Sequence, residues 1–135
     1  MTDPIQSVLT TTRRIAVVGA SNNPDRPSNE IMAFLIARGF DVVGVNPGLA
    51  GRTLHGRPVV ASLDDAVPLD MVDVFRASDQ VGSIMADAIR LGARTVWLQL
   101  GVIDAAAAAA GRAAGLQVVE NRCPSIEWRR LRLPT

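Results

Sequence analysis

The chain of 135 residues is 48% hydrophobic and 20% charged with a net charge of +1, a composition typical of a soluble globular protein that gives no hint of disorder, demands no polyanionic partner and leaves room for one domain core, not two. All 14 basic residues are arginines, so a Schiff-base lysine or the lysine of a phosphate loop is excluded. The single cysteine, Cys123, cannot form an internal disulfide, Met1 to Arg14 lacks the apolar stretch of a secretory signal, and no apolar run approaches the ~20 residues needed to cross a bilayer. A cytoplasmic protein without a membrane role is expected.

In chain order, residues 1–13 read as an N-terminal extension and 14–135 as one domain. Ile15-Ala-Val-Val-Gly19 is a short continuous apolar run ending in glycine, as in a strand buried on both faces of a parallel sheet. After a loop rich in Asn, Pro, Asp and Ser, the spacing of Ile31, Met32, Leu35 and Ile36 predicts a helix, with Ser28 as its N-cap and Gly39 as its stop. Asp41 to Val45 reads as the second strand, stopped by Asn46-Pro47-Gly48. An irregular excursion from Ala50 leads to a short strand at Pro58 to Ala61 and a helical turn at Leu63 to Val67. Met71 to Phe75 is the next strand, followed by a helix capped by Ser78 and ended by Gly92. Thr95 to Gln99, an alanine-rich helix from Asp104 to Ala114, and Leu116 to Glu120 complete the alternation, and Trp128 to Leu133 reads as a solvated terminal helix. Strands alternating with helices predict an α/β fold, a single Rossmann-like doubly wound domain with a mainly parallel sheet of five or six strands.

In such a sheet, ligands bind beyond the carboxyl ends of the strands, where the strand order reverses. The loop from Gly19 to Ser28 precedes a helix whose opening favours an anion. Ser21 and Ser28 add hydroxyls, and Arg26 adds a fork of donors suited to a pyrophosphate. By itself this pattern fits a surface strand-to-helix loop equally well. The three glycines of a dinucleotide loop are missing, and Asn46-Pro47-Gly48 stands where an NAD site carries an acidic residue. A phosphate on the adenosine ribose would be tolerated there, which disfavours NAD and leaves coenzyme A and NADP.

Gly19 to Ser28, Val45-Asn-Pro47, Asp73-Val-Phe-Arg76, Val96 to Val102, and Asn121-Arg-Cys123 with Ile126-Glu127 together resemble the small bacterial CoA-binding proteins. Those are stand-alone domains similar to the CoA-binding domain of the succinyl-CoA synthetase α subunit, and the resemblance spans roughly Arg14 to Leu131. It implies that Gly19, Ala20, Ser21 and Arg26 surround the pyrophosphate and that Asn46 and Pro47 border the adenosine. It further implies that Phe75, Arg76 and Ala77 border the ligand at the third loop and that Gln99, Leu100 and Gly101 approach the pantetheine, with Asn121 and Cys123 contributed by the last loop. In that family a basic residue often follows the second-strand proline. Here Gly48-Leu49-Ala50 stand instead, with Arg52 or Arg57 as substitutes for contacting the ribose phosphate.

No nucleophile, base and orienter set assembles from these residues. His55, the sole histidine, reads as an exposed loop residue, and Asp64-Asp65 as charges opening a short helix. Asp70, Asp73 and Asp79 lack companions at metal-ligand spacing, so no metal site is expected. Cys123 reads as a buried small residue or as a thiol facing the pantetheine, and in the latter case it would form a mixed disulfide with coenzyme A under oxidising conditions. The expectation is a module that binds coenzyme A or an acyl-CoA without catalysis of its own. The rival is an NADP-dependent reductase or a CoA-transferring enzyme completed by a partner subunit, and a homo-oligomer or a protein partner remains open in either case. No nucleic-acid partner is expected.

Overall fold

The computed structural model describes residues 3–134. In chain order they form helix α1 (Pro4–Thr11), strand β1 (Arg14–Val18), helix α2 (Pro27–Ala37), strand β2 (Asp41–Val45), and a hairpin of β3 (Thr53–Leu54) and β4 (Arg57–Val60). Strand β5 (Met71–Val74), helix α3 (Val81–Arg90), strand β6 (Thr95–Leu98), helix α4 (Ala105–Ala113), strand β7 (Gln117–Val119) and helix α5 (Pro124–Arg130) follow. One sheet runs in the order β3-β4-β2-β1-β5-β6-β7. Every pair is parallel except β3 with β4, which is antiparallel. The chain moves one way from β1 to β2 and the other way from β1 to β5, so the strand order reverses between β1 and β5.

Alternate side chains of each strand enter different cores. Ala16, Val43, Val72, Val74, Val96 and Leu98 pack under α3 and α4. Ile15, Val17, Val42, Met71 and Trp97 pack on the opposite side with residues from α1, α2 and α5. The near-continuous apolar strands of the sequence are thus buried on both faces, as a doubly wound sheet requires. The α3–α4 contact depends on Gly111, where an added Cβ would lie 2.7 Å from Met85 Sδ and 3.0 Å from Val118 Cγ2. In the alanine helix this glycine serves close packing, and Asp104 caps it by accepting from the Ala107 amide at 3.0 Å.

Five features differ from the sequence reading, the first being that α3 starts at Val81 with Gln80 as its N-cap, because Ser78 opens a separate 3₁₀ turn. The sheet has seven strands instead of five or six, because the excursion after Gly51 pairs Thr53 with Pro58 and Leu54 with Arg57 to add β3. The N-terminal extension carries α1, whose Val8 and Leu9 are buried in the core and whose cap, Asp3, accepts from the Ile5 amide at 2.8 Å. The N-cap of α2 is Arg26, not Ser28, because Pro27 takes the first helical position, where its missing N–H costs nothing and its fixed φ suits a helix. The terminal helix is not solvated all round. Trp128 is buried edge-on to Phe34 and Phe40, with ring centroids 6.1 and 6.0 Å away, while Arg129 and Arg130 face outward.

Candidate functional site

A cleft of about 650 Å³ lies across the carboxyl ends of the strands. Its lining residues come from the loops after β2, β1, β5, β6 and β7, in that spatial order. Four interstrand spacings make it about 19 Å long. Such a groove suits an elongated ligand.

The floor depends on Gly19. Its φ is +92°, a region that L side chains rarely adopt, and an added Cβ would lie 2.8 Å from the Phe75 carbonyl oxygen. Its own amide donates to Val45 O at 3.0 Å, so one residue draws together the ends of β1, β2 and β5. The loop beyond it is held internally. Ser21 Oγ accepts from the Asn23 amide at 3.1 Å, Asn23 Oδ1 accepts from the Asp25 amide at 3.0 Å, and Asn29 Nδ2 donates to Ser21 O at 2.8 Å.

At the opening of α2, Pro27 has no N–H and the Asn29 amide turns back to Arg26 O at 3.0 Å, so the helix offers few free amides to an anion. The cation there is Arg26. It is exposed, lines the cleft, and its guanidinium makes no ion pair or hydrogen bond among the described residues. The hydroxyls of Ser21 and Ser28 also line the cleft, as does Glu30, whose carboxylate restricts where a phosphate can sit.

Asn46 accounts for the missing acid at the end of β2. Its Nδ2 donates to Ala20 O at 2.8 Å while its Oδ1 accepts from the Gly48 amide at 2.8 Å. An aspartate could accept from Gly48 but would set a carboxylate against the Ala20 carbonyl. The neutral amide ties the first two loops together and leaves no acid for a ribose diol.

Two buried acceptors have no partner at the other side of the floor. Gln99 is 6% exposed, lines the cleft, and its Oε1 receives no hydrogen bond. Asp73 is fully buried between Val17 and Trp97 in the register, and neither carboxyl oxygen has a partner. Burial alone pushes its carboxyl well above the usual carboxylate range. Asp73 shares a sheet face with Phe75, two residues on, so it lies one layer beneath the cleft floor. Cys123, buried at the start of α5, faces the same cleft with its Sγ 3.3 Å from Ser125 Oγ. The loop behind it is pinned where Trp97 Nε1 donates to Arg122 O at 2.8 Å.

The structure brings Gly19, Ala20, Ser21, Arg26, Ser28, Asn46, Phe75, Arg76, Gln99, Leu100 and Cys123 to the cleft. It does not place Pro47, Ala77, Gly101 or Asn121 among the lining residues. Pro47 opens an outward 3₁₀ turn, Ala77 begins another ahead of α3, and Gly101 and Asn121 are engaged with each other through a 2.8 Å bond from the Gly101 amide to Asn121 Oδ1. Arg57 cannot reach a ribose phosphate, because its guanidinium pairs with Asp41 and donates to Val42 O at the other end of β2. His55 sits on the β3–β4 turn with Nε2 3.1 Å from Asn29 O, outside the cleft. Sequence reading missed Pro27, Glu30, Ile31, Val102, Ser125 and Ile126, all of which line it. The periodicity of α2 points to Ile31 as a core residue, Val102 and Ile126 stand in segments that carry the family resemblance without a site role, and nothing local marks Ser125.

A mainly parallel sheet with its order reversed between β1 and β5, and a cleft over that point, defines a Rossmann-like α/β domain. The chain belongs to the CoA binding domain family, which matches residues 13–129. It is 31% identical over 120 residues to the Bacillus subtilis (strain 168) protein YneT, covering 88% of this chain and 87% of that one. Among solved structures it resembles Thermus thermophilus cell-free ID.343 (35% identity, TM-score 0.89, 94% of this chain and 96% of that one). It also resembles a Pyrococcus horikoshii OT3 protein (36% identity, TM-score 0.87, 94% and 89%). A Rex-family repressor, RSP, solved with beta-NADH, shares the fold alone at 14% identity and a TM-score of 0.60, with 94% of this chain and 65% of that one covered. No helix among the described residues is long and apolar enough to cross a membrane.

Proposed function

We propose that the protein binds coenzyme A or an acyl-CoA along this cleft and acts as a binding module. The observation that carries the reading is the arrangement of groups across four strand ends: neutral Asn46 at β2, an unpaired Arg26 with two serine hydroxyls beyond β1, and Gln99 with Cys123 at β6 and β7. The nucleotide then lies over β2 and β1 and the pantetheine extends toward β7. Family membership supports the same ligand, and the NADP reading finds no glycine fingerprint to support it.

Isothermal titration tests this directly. Coenzyme A should bind saturably and more tightly than NADPH or NADH, and folded protein that binds no coenzyme A at millimolar concentration would refute the proposal. Arg26→Ala should weaken coenzyme A binding by roughly 10- to 150-fold, the equivalent of about 1.5–3 kcal/mol for a lost charge-assisted contact. An unchanged affinity would remove Arg26 from the phosphate site.

The position of Cys123 carries a second expectation. With oxidised coenzyme A as the co-reactant, the Cys123 thiolate attacks one disulfide sulfur, forming a protein–coenzyme A disulfide and releasing one coenzyme A thiol. Intact-mass spectrometry of folded protein should show one coenzyme A adduct, reversed by a thiol reductant and absent in Cys123→Ser. An unmodified mass would mean that the ligand thiol does not reach Cys123.

A further inference from the structure

Three of the four large hydrophobic side chains exposed among the described residues belong to the segments after β6 and β7: Leu100 is 56% exposed, Ile103 56% and Ile126 49%. Leu100 and Ile126 line the cleft, as does the buried Val102. Single exposed hydrophobics are ordinary on a protein surface, but Leu100 and Ile126 border the same cleft that Arg26 lines from the start of α2. Nor has the loop simply failed to fold inward. The Val102 amide donates to Gln99 O at 2.9 Å, the Gly101 amide to Asn121 Oδ1 at 2.8 Å and the Ile103 amide to Ser78 Oγ at 2.9 Å, so the backbone is held with the side chains turned out.

We propose that this end of the cleft seats an uncharged aliphatic acyl group, so that the preferred ligand is an aliphatic acyl-CoA instead of free coenzyme A or a dicarboxylic acyl-CoA. The inference rests on the reading of the cleft as a coenzyme A site, because the order of strand ends then carries the thiol toward β6 and β7. None of the lining residues from those two loops is charged: Gln99, Leu100, Val102, Cys123, Ser125 and Ile126. A terminal carboxylate would lose water among these side chains without gaining a cation from either loop, whereas an alkyl chain would cover Leu100 and Ile126.

Titration of the full chain with coenzyme A, acetyl-CoA, hexanoyl-CoA and succinyl-CoA tests the proposal. A fully buried methylene is worth about fourfold in affinity, from about 0.8 kcal/mol. With four more carbons than acetyl on a half-open surface, hexanoyl-CoA is expected to bind at least tenfold more tightly than acetyl-CoA, and succinyl-CoA no more tightly than free coenzyme A. Ile126→Ser, at a half-exposed position that a serine can occupy without unfolding the chain, should cut the hexanoyl-to-acetyl preference to under threefold. If coenzyme A binds saturably but hexanoyl-CoA binds no better, or if Ile126→Ser leaves the preference intact, the acyl seat is refuted and the coenzyme A site stands. If none of the four binds to folded protein, both readings fall together.

Discussion

Replacing Gly19 with alanine is expected to weaken coenzyme A binding by more than about 30-fold and to destabilise the fold by about 2–4 kcal/mol. Two costs combine at this residue. A φ of +92° strains any side chain, and the added Cβ would lie 2.8 Å from the Phe75 carbonyl oxygen, so the ends of β1 and β5 must separate. That separation deforms the floor on which the ligand lies. Gly39→Ala is the control, because Gly39 has nearly the same φ, +93°, but nothing within 4 Å of its added Cβ. It should carry the conformational cost alone, about 1–2 kcal/mol, and leave binding unaffected. Thermal unfolding, at roughly 4 °C per kcal/mol, together with titration of both variants, reads the difference. Equal effects from the two substitutions would show that the close approach to Phe75 is unimportant.

Asp73→Asn is expected to make the protein progressively more stable than the parent as pH rises. The Asp73 carboxyl is fully buried without a partner, and its folded pKa stands well above its ordinary value of 3.8. Above about pH 4 the unfolded chain has released this proton while the folded chain still holds it. The folded state therefore binds more protons, and the stability of the parent falls with rising pH by about 1.4 kcal/mol per unit until the folded carboxyl itself ionises. Asparagine has the same shape and no proton to lose. The difference between the two denaturation free energies cancels the other titrating groups and should grow with that slope from pH 4 upward. Parallel stability curves would mean that Asp73 ionises in the folded protein as readily as in the unfolded chain, which would overturn its burial as an unpaired acid.

That an acid without a partner occupies this place could not be read from Asp70-Met-Val-Asp73. Four residues with acids at the ends of a short strand look alike whether the carboxylate is paired, solvated or orphaned. Asp70 lies at the start of β5, where its carboxylate accepts from the amides of Arg13 and Arg14 at 3.0 Å each. Asp73 is one layer below the cleft, and only the neighbouring strands decide that no donor reaches it.

The sequence by itself determined the alternation of strands and helices, the loops that end each strand, and the absence of both a glycine fingerprint and an acid after β2. Those are local properties: apolar runs buried on both faces, helical spacing, and residues that stop a strand or open a helix. Tertiary structure decided which loop residues line the cleft. Asn46 reaches Ala20 across 26 positions and Gly101 reaches Asn121 across 20, and each bond turns a side chain or backbone group toward the cleft or away from it. It also decided that α1 and Trp128 belong to the core, because their apolar surfaces are buried only by the sheet face and helix that meet them. The cleft of about 650 Å³ joins Gly19 to Ile126, a neighbour whose place in it depends on where β7 delivers α5. No pattern within the last 15 residues encodes that neighbour, since it comes from a strand pairing made outside them.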